Sequence, residues 1–296
     1  MKSALAILVM LSSGAHADSK AWSTGKAVIG SSATMVGGVN ATSVRSSEVY
    51  DKLMPLLMAK AGDFKAAVDE IQKECSIDIL ASIDSIAFGL DGKQAGTIVV
   101  ALKGTNHKAI DACAQKIGKA ENKQITITTE GKLTKYDGMS DKPMYFAWLS
   151  TDVFAISTTP DDKDATKKLL VSGVTSAKDL KSPLAATDKG ASAWFVYNED
   201  HDLPNMAGKM KQVYGSAKIT NKKIEFTGHM VTDTSKAAQA FADEANKELA
   251  AAQTGGSQAM QTALKNVTVK LDNGTVAASG SINSDDVFPL LMSVMM

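Results

Sequence analysis

Several short stretches of the chain alternate apolar and polar side chains, which is the pattern of strands that bury one face. The clearest pairs are IDSIAFGLD with AGTIVVALKG, joined at Gly92, and MYFAWLS with DVFAIST. QITITTEGKLTKYDG turns at Glu130-Gly131, and NVTVKLDNGTVAASGSI turns at Asn273-Gly274, a dipeptide typical of tight hairpins. ASAWFVYN and SAKITNKKIEFTGHMVT complete the series. The alternation therefore predicts a sheet of antiparallel hairpins.

Other stretches repeat apolar residues every three or four positions, as an amphipathic helix does. Val44, Val49 and Leu53 share one face of a predicted helix that ends at Gly62. Thr159-Pro160 has the residues of a helix start, followed by acids in the first turn. Further helices are predicted for DFKAAVDEIQKEC, KAIDACAQKI, PNMAGKMKQVYG, SKAAQAFADEANKELAAAQ and SDDVFPLLMSVMM.

The order strand, helix, hairpin, helix, hairpin occurs twice along the chain. It predicts an α+β fold with two pattern-similar halves, each with helices packed on an antiparallel sheet. The first half covers residues 32–173, the second covers residues 191–296, and residues 174–190 connect them. Residues 18–31, rich in Ser, Gly and Lys, are expected to form a flexible leader.

The first residues have the features of a secretory signal. Lys2 supplies a positive charge, residues 4–11 are an apolar run too short to span a bilayer, and Ala15-His16-Ala17 fits a cleavage site. A signal peptide over residues 1–17 predicts a periplasmic or secreted protein. No other stretch approaches a membrane-spanning length, so no integral membrane segment is expected after the signal is removed.

The bulk composition is that of a globular protein, with 44% hydrophobic and 22% charged residues. Lys+Arg and Asp+Glu balance at 32 each, and Arg45 is the one arginine among the basic residues. Because neither a net positive charge nor a set of arginine forks is present, we expect no nucleic-acid partner.

Cys75 and Cys113 both lie near the end of a predicted helix. In an oxidising compartment an even number of cysteines favours a disulfide over a metal or redox site. We therefore predict a bond between the two. The alternative is a pair of separate buried thiols.

The sequence carries none of the common catalytic motifs, such as HExxH, GxSxG, a phosphate-binding loop or CxxC. One polar cluster is a candidate metal site: Glu199, Asp200, His201 and Asp202 follow a predicted strand. Carboxylates and an imidazole can ligate a divalent cation. The alternative is a solvated loop whose acids stabilise the start of the next element. No cofactor is predicted.

Two methionine-bearing segments share the letters PLLM, namely LMPLLM near the start and FPLLM near the end. Met is flexible and polarizable, so it suits surfaces that accept variable apolar ligands, but it also fills irregular cores. The candidate residues for an apolar ligand are Met54, Leu57, Met58, Leu291 and Met292.

The segments SSEVYDKLMPLLMAKAG, ECSIDILASIDSIAFGL, VVALKG and IDACAQKIG follow one another along the first half. In this arrangement the chain resembles a group of uncharacterised exported α+β proteins of myxobacteria and related bacteria. The resemblance implies an export address and an α+β fold, and it implies no catalytic residues.

Two functions follow from these observations. The first is a non-catalytic exported protein that binds an apolar small molecule or an envelope protein partner. The second is a secreted, hydrolase-like enzyme whose site has no recognisable motif in the sequence. A groove lined by apolar side chains would favour the first, and carboxylates converging with His201 in a cleft would favour the second.

Overall fold

The computed structural model describes residues 17–93, 95–170, 173, 174, 178–202, 208–287 and 289. Its first part contains α1 (Lys20–Gly25), β1 (Met35–Asn40), α2 (Ala41–Arg45), α3 (Glu48–Lys60), α4 (Gly62–Cys75), α5 (Ile79–Ser82), β2 (Ile83–Leu90), β3 (Gly96–Leu102), α6 (His107–Ala120), β4 (Thr126–Glu130), β5 (Leu133–Asp137), β6 (Met144–Ser150), β7 (Val153–Ser157) and α7 (Lys163–Lys168).

After a 3-10 turn at Lys178–Leu180, the chain continues through α8 (Lys181–Ala186), β8 (Ala193–Tyr197), β9 (His201–Asp202), β10 (Lys209–Ile219), β11 (Lys223–Thr232), α9 (Ser235–Gly255), α10 (Gln258–Leu264), β12 (Thr268–Asp272) and β13 (Thr275–Asn283). Residues 284–287 begin a further helical turn. The protein is therefore an α+β fold, as the sequence predicts.

The strands form one large sheet in the order β12-β13-β11-β10-β8-β1-β2-β3-β7-β6-β5-β4, with β9 paired to β10. Each described pairing in this sheet is antiparallel. The strands of the two predicted halves meet where β1 pairs with β8, with Val36 opposite Val196. The two sets of strands thus share one continuous sheet. The division of the chain into two equivalent halves stays a prediction.

One face of the sheet, here called the tight face, is closed by the N-terminal segment. Trp22 on α1 is 3% exposed and packs edge-on against Trp194 of β8, with ring centroids 4.9 Å apart. The backbone N–H of Ala21 donates to Ser85 Oγ at 3.1 Å, and Ile29 is fully buried. The flexible leader expected for residues 18–31 is therefore wrong, because its few apolar side chains supply part of the core.

One further expectation fails in the second part of the chain. The sequence predicts a short helix for PNMAGKMKQVYG, but the last seven residues of this segment, 209–215, begin the long strand β10. Val213 and Tyr214 pair with both β8 and β11. Ladder hydrogen bonds on both edges outweigh the weak helical preference of the segment.

Candidate functional site

The two faces of the sheet differ in the size of their side chains. Along β2, β3 and β7, the buried positions of the tight face carry small or short residues: Ser85, Ala87, Gly89, Thr97, Val99, Ala101, Val153, Ala155 and Ser157. The opposite positions of the same strands carry larger apolar residues that are only half-buried: Ile86, Phe88, Ile98, Val100, Phe154 and Ile156.

We call this second surface the open face, and the register extends it to β1 and β8. Val39 lies opposite Ile86, and Gly37 lies between Phe88 and Phe195. Phe195 is 39% exposed. A Cβ on Gly37 would lie 2.5 Å from the Phe88 ring, so glycine here makes room for that ring. On β2, β3 and β7 the larger apolar side chains therefore lie on the incompletely covered side of the sheet, which is unusual for a face that serves packing alone.

A cavity of about 460 Å³ lies between the open face and helix α3. Because almost all of its lining atoms are apolar, we call it the α3 cavity, and its walls come from β1, β2 and the helices α2 to α5. The lining residues are Val39, Ala41, Val44, Arg45, Val49, Tyr50, Leu53, Met54, Met58, Ala61, Phe64, Leu80, Ile83 and Ile86. This size is within the range of small-molecule sites.

The structure places two of the predicted ligand residues, Met54 and Met58, in the lining of the α3 cavity. Leu57 lies in the same helix. Leu291 and Met292 lie outside the described residues. Whether any of these side chains contacts a ligand stays a prediction.

The sequence did not single out the other walls of the cavity. The sequence places Val44, Val49 and Leu53 on one face of a predicted helix. It gives no such indication for Ile83, Ile86 and Phe64, which line the same cavity from other elements. Phe64 carries the clearest signal, since it is a large apolar residue that is 55% exposed at the start of α4. Its apolar character alone would predict a position in the core for this side chain.

A second, smaller apolar cavity of about 220 Å³ lies under α6, and we call it the α6 cavity. Its walls include Trp148 and Phe154 of the sheet and Ile110 of the helix. Helices α4 and α5 separate the two cavities. Phe64 and Leu80 line the α3 cavity, whereas Ile71 and Ile79 of the same two helices line the α6 cavity.

The helix pair that separates the cavities is held from one end by the predicted disulfide. Cys75 and Cys113 are bonded, with their Cα atoms 5.3 Å apart, and Cys113 also lines the α6 cavity. The bond therefore fixes the position of α4 relative to α6.

A chain of polar side chains borders the α6 cavity. The hydroxyl of Tyr136 donates to Asp111 Oδ1 at 2.6 Å, and His107 Nε2 lies 3.4 Å from Asp111 Oδ2. His107 also stacks on Trp148, with ring centroids 4.2 Å apart. Burial, followed by the hydrogen bond to the Asp111 carboxylate, raises the pKa of Tyr136 well above its usual value of 10.0. The phenol is therefore a neutral donor that locks α6 onto β5.

The predicted metal residues do not converge. Asp200 pairs with Lys211, Asp202 lies 3.9 Å from Lys209, and Glu199 accepts from Tyr197 at 3.2 Å. The ring of His201 stacks on Tyr197. Among the described residues, no three His, Cys, Asp or Glu side chains lie close enough to hold a metal ion. Successive side chains of an extended chain point to opposite sides, and Glu199 and His201 both lie within hydrogen-bond distance of the Tyr197 hydroxyl. Metal binding by this cluster stays a prediction.

Within the described ranges, no helix has the length and apolar character needed to cross a bilayer. No family model and no curated protein matches the chain by sequence.

The fold is similar to that of TP0453, which has been solved in several crystal forms. Crystal form I has a TM-score of 0.53 and 7% identity, covering 91% of this chain and 96% of that one. Crystal form III has a TM-score of 0.53 and 9% identity over 90% and 96% of the two chains. Crystal form IV has a TM-score of 0.51 and 8% identity over 89% and 94%. At this identity the similarity concerns the fold.

Proposed function

We propose that this protein is a non-catalytic exported protein that binds an apolar ligand in the α3 cavity. The main supporting observation is the open face, where large apolar side chains remain half-exposed beside a cavity with apolar walls. Exposure of such a surface to water is unfavourable, and covering it with an apolar molecule lowers the free energy of the system.

Export is the second part of the proposal. The Cys75–Cys113 bond suits an oxidising compartment. The signal peptide predicted for residues 1–17 lies outside the described part of the chain except for residue 17. The resemblance to exported myxobacterial proteins supports the same address. The fold shared with TP0453 is compatible with a binding role but carries no ligand to this chain.

Binding of N-phenyl-1-naphthylamine, whose fluorescence rises in apolar surroundings, tests the function. The wild-type protein should bind it saturably at one site. Val44→Trp places an indole in the α3 cavity, so we expect at least a tenfold loss of affinity, about 1.4 kcal/mol.

Leu271→Trp is the matched control, because Leu271 is 39% exposed on β12 at the edge of the sheet, away from the cavity. This variant should bind the probe like the wild type. An absence of binding to the wild-type protein, or equal binding by the Val44→Trp variant, would contradict the proposed function.

A further inference from the structure

Arg45, the one arginine of this chain, lies in the wall of the otherwise apolar α3 cavity. It is the last residue of α2 and is half-buried. Each of the other basic residues of the chain is a lysine, an ammonium on a long flexible stem. The position of the single guanidinium beside an apolar cavity therefore requires an explanation beyond solubility.

Part of that explanation is structural. Arg45 Nη1 donates to the carbonyl oxygens of Leu80 at 2.8 Å and Ile83 at 2.6 Å, and Nη2 lies 3.4 Å from Thr42 Oγ1. These bonds hold the guanidinium in one place and join α2 to the start of β2. None of the described residues accepts a hydrogen bond from Nε. The edge of the guanidinium formed by Nε and Nη2, here called the free edge, therefore keeps unused N–H donors.

The positive charge has no acidic partner in the described part of the chain, since no carboxylate oxygen there lies within 4.0 Å of the guanidinium. Asp84 is connected to Arg45 through Thr42, whose hydroxyl donates to Asp84 Oδ1 at 3.3 Å. The other oxygen of Asp84 accepts from Ser85 Oγ at 3.2 Å. The Arg45 guanidinium is held in place, has unused donors and lies beside an apolar wall. Its charge is therefore available to pair with an anion that is not part of the described chain.

The shape of the cavity indicates how such a ligand would lie. Arg45 precedes α3 and Phe64 follows it, so the lining extends along the helix, whose 13 residues span about 20 Å. The charge is thus at one end of the cavity lining, and the apolar side chains of Met54, Met58 and Phe64 form the rest of the lining along α3.

We infer that the ligand of the α3 cavity is an anionic amphiphile, with a carboxylate or phosphate on the free edge of Arg45 and a hydrocarbon chain along α3. This inference rests on the proposed function and names the class of its ligand. A guanidinium presents paired donors that match the oxygens of either anion.

The test compares 11-(dansylamino)undecanoic acid with its methyl ester on the wild-type protein. The two probes share chain and fluorophore and differ in the charge of the head. We expect the acid to bind at least about tenfold more tightly, as a charge-assisted hydrogen bond predicts. Binding of acid and ester with equal affinity would overturn the inference while leaving the proposed function standing. Binding of neither would count against both.

Displacement of the bound acid distinguishes the two head groups. Dodecyl phosphate, dodecanoate and dodecanol carry the same chain, and inorganic phosphate carries none. Both charged amphiphiles should displace the probe more strongly than the alcohol, and the stronger of the two identifies the preferred head. Displacement by inorganic phosphate at equal concentration would show that the chain contributes nothing, contrary to the inference.

Variants assign the preference to Arg45. Arg45→Gln should abolish the difference between acid and ester, and Arg45→Lys should restore part of it. Lys60→Gln removes a positive charge from the exposed end of α3 and should keep the full difference. An acid preference that survives Arg45→Gln in a folded variant, or that disappears in Lys60→Gln, would contradict the assignment.

Discussion

Cys75 is the last residue of α4, and its disulfide to Cys113 joins that helix to the middle of α6. The bond lies at the far end of the helix whose first turn carries Phe64 into the α3 cavity. One covalent link therefore fixes a helix that forms a wall of both apolar cavities.

The double variant Cys75→Ser/Cys113→Ser should be less stable than the wild type by about 4 kcal/mol. The bond joins residues 38 apart, and a cross-link of this length stabilises the protein because it removes chain entropy from the unfolded state. Equilibrium unfolding in urea measures the difference. Thiol labelling of the denatured, unreduced wild type should find no free cysteine, and two labelled thiols would refute the prediction.

Trp22→Ala should lower the free energy of unfolding by about 3 to 5 kcal/mol, the range for a large buried aromatic residue. Trp22 is 3% exposed and contacts Trp194. Phe64→Ala is the control, because Phe64 is 55% exposed and its loss should change stability far less. Urea unfolding followed by circular dichroism compares the two variants. A loss of stability in Trp22→Ala as small as that in Phe64→Ala would mean that the N-terminal segment does not contribute to the core.

Tyr136→Phe should reduce the free energy of unfolding by about 1.5 kcal/mol near neutral pH, since Asp111 loses a buried donor. The pKa of Tyr136 is higher in the folded state than its unfolded value of 10.0. The stability contributed by the phenol is therefore complete below pH 10.0 and is lost as the pH rises above it.

The difference between wild type and the Tyr136→Phe variant should consequently stay constant up to about pH 9 and shrink as the pH rises from about 10 upward in urea unfolding experiments. Tyr197 titrates in both proteins and cancels in the comparison. A difference that grows with pH would contradict the hydrogen bond from Tyr136 to Asp111.

The sequence predicted the hairpins because their signals are local. The turn at Asn273-Gly274 has positive φ at both residues, 48° and 78°, and joins β12 to β13 as expected. Gly131, with φ of 62°, likewise allows the turn between β4 and β5. These conformations follow from residue type alone.

The candidate site could not be predicted in the same way. Val39 and Ile86 lie side by side through the register of β1 and β2, and Arg45, the last residue of α2, lines the same cavity. The methionines of α3 were selected by composition, whereas the open face depends on which side of the sheet the helices leave uncovered. Alternation of apolar residues shows that a strand has two faces but does not show how completely each is covered.

The most direct test of the account is the location of a bound apolar probe. Protein labelled with ¹³C at the methionine methyl groups would be titrated with N-phenyl-1-naphthylamine, and resonances would be assigned by single Met→Leu variants. We predict saturable shifts of the Met54 and Met58 methyl groups, which line the α3 cavity, and no shift of Met230, which is 8% exposed in the cluster beneath α9. Shifts at Met230 with none at Met54 or Met58 would contradict the account.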